Sequence, residues 1–223
     1  VYYNAPAKLQ ARGAVVNIRL KHGGDDATPL QGELGGVWSQ SHEPTFDEHG
    51  TLLLNSKKFA LDLFYQHVDQ KNYTTSGFDS HHLLNDGTTH HIASLMQNRY
   101  KGYSHNVRLG MDYNFSKNHL LSLVYQLANT SGSSQQTTTG DIMSIVDFKK
   151  HKWLHNLRLD YIAPFGLKAG AELTYYHNPS HENFQSTIPT GAMQVAVDNE
   201  HRVNRWRFYL AKEHQLKDGW GLN

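Results

Sequence analysis

The sequence contains no cysteine, which excludes disulfides, thiolate catalysis and Cys-ligated zinc together. It also lacks any run near the roughly 18 apolar residues of a membrane-spanning helix. The densest apolar stretch, His119 to Leu127, is interrupted by Ser122 and Gln126. Nor is there an excess of one charge: 21 Lys and Arg against 20 Asp and Glu leave +1, too balanced for an electrostatic footprint on nucleic acid. No nucleic-acid partner is expected. G-x-S-x-G, G-x-x-x-x-G-K, H-E-x-x-H and EF-hand patterns are all missing, so no catalytic residue and no cofactor is expected and the chain does not read as an enzyme.

What is present is alternation. Apolar residues recur at spacing two in Phe59, Leu61, Leu63, Tyr65; Val107, Leu109, Met111, Tyr113; Leu121, Leu123, Tyr125, Leu127; Leu157, Leu159, Tyr161; Leu167, Ala169, Ala171, Leu173, Tyr175; and Trp206, Phe208, Leu210. The intervening positions carry Asp62, Gln66, Arg108, Asp112, Ser122, Gln126, Arg158, Asp160, Lys168, Glu172, Arg205 and Arg207. Each run therefore predicts a strand with one apolar and one charged face. No comparable 3.6-residue stripe competes, and the fold class expected is all-β, an antiparallel up-and-down meander.

Links alternate in length. Asn55 to Lys57, Ser116 to Asn118 and Ala163 to Gly166 are short, whereas Lys71 to Asn98, Thr130 to Lys150 and Asn178 to Glu200 are long and polar. In a meander this puts short turns at one end and long, irregular loops at the other, the asymmetry of outer-membrane barrels. Aromatics fall at both ends of the apolar face: Phe59, Tyr113, Phe115, Tyr161 and Phe165 near the short turns, Tyr65, Tyr125, Trp153, Tyr175 and Trp206 near the long links. Two girdles with aliphatics between them suit part of a transmembrane β-barrel. A soluble β-sandwich would use the same odd positions against a second sheet.

Tyr2-Tyr3-Asn4-Ala5-Pro6-Ala7 followed by Gly13-Ala14-Val15-Val16-Asn17-Ile18-Arg19-Leu20-Lys21 resembles the end of the plug domain of a TonB-dependent outer-membrane receptor. Asn106 to Tyr113 before the turn at Ser116, and Trp206 to Trp220 ending in Leu216-Lys217-Asp218-Gly219-Trp220, resemble barrel strands of that receptor-like superfamily. The resemblance implies the end of a plug over residues 1–21 and the N-terminal part of a barrel over 22–223, about eight strands of a larger barrel within a longer parent. It implies a place in the cell outer membrane, in contact with outer-membrane lipid. It further implies import of a small-molecule, peptide or glycan ligand, energised by a TonB-type complex that engages a region ahead of Val1. The alternatives are a soluble β-sandwich binding module and an adhesion or assembly barrel without transport.

Sixteen histidines invite a metal reading, above all the doublets His81-His82 and His90-His91, which a hairpin would bring face to face. The segment reads instead as a polar exposed loop, with neither an Asp or Glu at ligand spacing nor a strand-fixed geometry, and no metal site is expected. His151 and His155 would stand about 13 Å apart on a strand and cannot share one ion directly. The mixed-sign charges are expected to pair across the sheet as wall chemistry. Gly110 and Gly170, on the charged face, are expected to relieve close packing of a plug or bending of a strand.

Overall fold

The computed structural model describes residues 30–188, 191–212, 214–215 and 221–222. The plug-like segment 1–21 and the segment Leu216 to Trp220 lie outside these. Eight strands form one antiparallel sheet in sequence order: β1 (Leu30–Gln40), β2 (Pro44–Asn55), β3 (Phe59–Leu83), β4 (Thr89–Ser116), β5 (His119–Gly140), β6 (Met143–Ile162), β7 (Leu167–Ile188) and β8 (Gly191–Lys212). Two further two-residue strands, β9 (His214–Gln215) and β10 (Gly221–Leu222), pair only with each other. The meander is open, since β1 and β8 are not paired to one another.

The short turns fall where the sequence puts them. Ser56 closes the β2–β3 turn with its amide donating to the Phe59 carbonyl at 2.7 Å and its hydroxyl also on Phe59. The β6–β7 turn holds Gly166 at φ 78°, a left-handed conformation that costs glycine nothing. The sequence named six strands and the structure adds β1 and β2. The turn between those two, Ser41 to Glu43, is short although it lies at the end of the long links.

The long links are corrected: they are not irregular loops. The β3–β4 ladder runs without a break from Phe59↔Tyr113 to Leu83↔Thr89, and β5–β6 continues to Thr138↔Ser144. Once strands are registered, each polar pair adds ladder bonds at little further entropic cost, and the Ser, Thr and Tyr of these segments fit a pleated surface. Pairing between β6 and β7 skips His151–Lys152 opposite Asn178–Pro179, and proline has no N–H to donate to a ladder.

The ladders fix the faces. Leu61, Met111, Leu123, Leu159, Ala171 and Phe208 are joined in one cross-strand row, as are Asp62, Gly110, Val124, Arg158, Glu172 and Arg207 on the other side. The first face is the apolar one predicted. Among the described residues neither face is covered by a second layer and Ala163 is the one buried hydrophobic, while Trp206, Phe208 and Leu210 are 68%, 70% and 71% exposed.

Because the long links are ladders, cleavage should be confined to their tips. Limited proteolysis should cut first within Leu84–Thr88 and spare Lys71–Leu83 and Thr89–Asn98. Early cuts spread evenly through residues 71–98 would contradict the extended hairpin.

Candidate functional site

The charged face pairs with itself, as the alternation of sign leads one to expect. Arg108 donates to Asp62 across β3–β4 at 2.8 Å. Arg158 binds Asp160 on its own strand at 2.7 Å, and Glu172 on β7 receives both Arg205 and Arg207 of β8 at 3.0 and 3.1 Å. Gln66 donates both to Asp47 and lies beside Asn106, continuing the polar surface toward the hairpin ends. Such a wall wets readily and holds no single dominant sign.

Glycine on this face has a specific use, and it differs from the expectation. The occupant of the space over Gly170 is neither a plug nor a bend but the ring of Tyr209 on the next strand, into which a Cβ would run directly. From there the Tyr209 hydroxyl donates to Asp160. Tyr100 lies in the same way over both Gly102 and Gly132, and His49 over Gly35. Flat rings laid along the sheet replace the side chains the glycines lack, locking neighbouring strands in register. At Gly110 the nearest atom, the Cβ of Asp62, is at an ordinary 3.6 Å.

The apolar face is bounded by two strips of rings. At the short-turn end Tyr113 meets Phe115 at 4.7 Å, Phe115 stacks on His119 at 4.3 Å, and His119 bonds the Tyr161 hydroxyl at 2.7 Å. At the other end Tyr65, His67, Tyr103 and His105 cluster on β3 and β4, and Tyr125, Trp153, His155, Tyr175 and His177 run across β5 to β7. The sequence reading found the other tyrosines and the tryptophan of these strips but missed Tyr103 and the histidines, the latter counted as polar. Their odd-numbered positions on β3 to β7 were the signal. His151 and His155 both stand on this face with Trp153 between them, each ring against the indole.

Beyond the second strip the same face opens into a groove of about 1110 Å³ over Ser131–Gly132–Ser133, flanked by Lys101 and Tyr103 on one side and Lys149 and His151 on the other. Small side chains on β5 make the trough and long cations make its walls. Lys71–Asp69 at 2.8 Å, His177–Glu200 at 2.8 Å and His181–Asp198 at 2.6 Å border this region. The Glu200 carboxyl is held below the usual range by the His177 hydrogen bond and by Arg202. With Asp69, Asp198 and Glu200 also in its lining, the trough carries both signs and suits a polar, hydroxyl-bearing ligand.

The β1–β2 turn folds across β3 to reach β4. His42 stacks on Tyr73 at 4.4 Å, Lys71 donates to the Pro44 carbonyl at 3.2 Å, and Glu43 pairs with Arg99 and with Lys101, the latter at 3.3 Å. The Arg99 hydrogen bond, with Lys101 beside it, lowers the Glu43 pKa.

At the tip of the β3–β4 hairpin the predicted meeting of the histidine doublets occurs: His81 pairs with His91 and His82 with His90. The expected absence of a carboxylate and of strand geometry is corrected. Asp79 stands two residues before His81, hence on the same face, and the ladder holds all of them. The turn beyond is closed by Asp86, which accepts from the Thr88 amide at 2.9 Å and hydroxyl at 2.6 Å, lowering its own pKa. No protein-family model and no curated protein matches the chain.

Replacing Gly170 by Val should displace Tyr209 and cost about 1–3 kcal/mol in chemical unfolding. Tyr209→Ala should cost less in the Gly170→Val background than in the unaltered chain, and strict additivity of the two would show that the ring does not sit over the glycine. A second expectation concerns acid. Since folding lowers the Glu43 pKa below its ordinary 4.5, the turn's tether is complete above that value and is lost as pH falls through the folded one. His42 and Tyr73 ring signals in NMR should separate from each other in that window, and Glu43→Gln should remove the acid-dependent step.

Proposed function

We propose that this chain is part of a Gram-negative outer-membrane β-barrel of the receptor-like, TonB-dependent class, which captures a small-molecule, peptide or glycan ligand and imports it. The observation that carries the reading is an apolar face bounded at both ends by aromatic strips and left uncovered by any second layer among the described residues. In water such a face is a liability; against hydrocarbon it is what the chain needs. Tyr113 and Tyr103 bracket the face on β4 about ten residues apart, about 33 Å along the strand. At the tilt of about 40° common to such barrels this becomes about 25 Å of height, the thickness of the apolar band.

Three further features support the same reading. The cross-strand row Lys71, Lys101, Ser133 and Lys149 lies just beyond the second aromatic strip, where anionic lipid headgroups would meet it. The opposite face, self-paired and hydrated, suits the lumen wall. The extended hairpins rise from the end where the external ligand would arrive. A soluble β-sandwich would need a second sheet on the apolar face, and no second layer stands there among the described residues.

The test uses adjacent residues with opposite assignments. Leu123 lies in the apolar row with Met111 and Leu159, so Leu123→Arg should cost on the order of 2–4 kcal/mol in refolding into lipid bilayers. Ser122 lies between Asp112 and Asp160, so Ser122→Arg gains two carboxylate neighbours and should cost far less. Equal damage, or folding that needs no bilayer, would sink the proposal.

A further inference from the structure

The hairpin tip carries a constellation that the transport reading does not use. Asp79, His81 and His91 each offer a ligand atom, and the three atoms lie within 4.8 Å of one another. His91 Nε2 is 2.8 Å from Asp79 Oδ1 and His81 Nε2 is 3.7 Å from the same oxygen, while the imidazoles stack at 4.6 Å. Four ligands at about 2.0–2.1 Å around a tetrahedral ion stand about 3.3 Å apart, so the observed spacings bracket what an ion requires.

Local structure explains why the set exists. A strand sends every second side chain to one face, which aligns Asp79 with His81, and the register sets His91 directly opposite His81. Three ligands thus come from two strands of one ladder rather than from a loop. His82 and His90 are also cross-strand partners, yet they occupy the other face, where His82 bonds the Ser80 hydroxyl at 2.9 Å. One face therefore carries two imidazoles with a carboxylate, and the other carries two imidazoles with a hydroxyl.

We propose that Asp79, His81 and His91 bind a borderline divalent d-block cation, with Zn²⁺ the best match. Two nitrogens and one carboxylate oxygen suit zinc, copper or nickel, whereas calcium and magnesium demand more oxygen ligands. In the metal-free chain the His91–Asp79 hydrogen bond holds the carboxylate beside the imidazole; a cation entering there takes the place of the Nε2 proton while the stacked rings turn to converge on it. Three protein ligands leave a fourth position for water or for a donor atom of an incoming molecule. The inference rests on the hairpin alone and stands apart from the membrane reading.

The experiment titrates the full chain, folded in detergent micelles, with Zn²⁺ by calorimetry and with Co²⁺ by visible absorption. One tight equivalent is expected, with the intense d–d bands of a four-coordinate Co²⁺ ion. His81→Ala, His91→Ala and Asp79→Asn should each weaken that equivalent at least tenfold and diminish the bands. His82→Ala and His90→Ala, one residue away on the opposite face, should leave affinity within twofold. Circular dichroism of each variant reports whether the sheet persists. Equal losses from both faces are what an unstructured histidine-rich segment would give and would overturn the site, as would the lack of a stoichiometric equivalent.

Discussion

Everything in this structure hangs on the backbone ladder between sequence-adjacent strands. A globular domain can absorb a local mispairing because its core holds the elements together; among the described residues no second layer supplies that restraint. Side-chain period is two, so a slip of one residue at any strand would transfer leucines to the charged face and arginines to the apolar one. Register is therefore the quantity the sequence must specify. It does so redundantly, with short turns at one end, ion pairs such as Arg108–Asp62 between strands, and rings of Tyr209 and Tyr100 seated over glycines.

The ion pairs and the glycine–ring contacts share the charged face but act by different physics. Ion pairs between half-exposed side chains contribute little each, since water screens them and their side chains lose freedom. Their larger effect is negative: a slipped register would set like charges side by side. The glycine–ring contacts are steric and admit one alignment only, because a ring cannot lie over a position that carries a Cβ. Their cost is the conformational freedom of glycine in a strand, which the ring's buried area offsets. On the apolar face the histidines do comparable work, bridging tyrosines and tryptophans into continuous strips, as His119 does between Phe115 and Tyr161.

The fold was legible in the sequence wherever alternation and turn chemistry agreed. Phe59 to Tyr65, Val107 to Tyr113 and Leu121 to Leu127 announce strands, and Ala163 to Gly166 announces a turn. The hairpin extensions were not legible, because Ser, Thr, Asn and Gly over Thr130 to Gly140 read as loop by composition; only pairing with β4 and β6 makes them strand. Histidine caused the other misses. Treated as merely polar, His67, His105 and His155 fell out of the girdles they complete, although their odd positions matched the tyrosines nearby. Asp79 was overlooked for the same reason, since a carboxylate two residues from a histidine is a neighbour only if the segment is a strand.

The extended ladders also decide where specificity can reside. A loop without internal pairing reaches many arrangements and orders its contacts only when a ligand binds, at an entropic cost. A hairpin whose ladder runs to Leu83↔Thr89 has met that cost during folding, so side chains at its tip keep fixed separations before anything arrives. Preorganisation of this kind favours ligands that demand geometry, such as a cation, over those that need a broad conforming surface. The two polar constellations at this end, the lysine-walled trough over Ser131 to Ser133 and the Asp79–His81–His91 cluster, are both products of strand period and register. In this chain the same alternation that separates an apolar face from a charged one also assembles the groups with chemistry to offer.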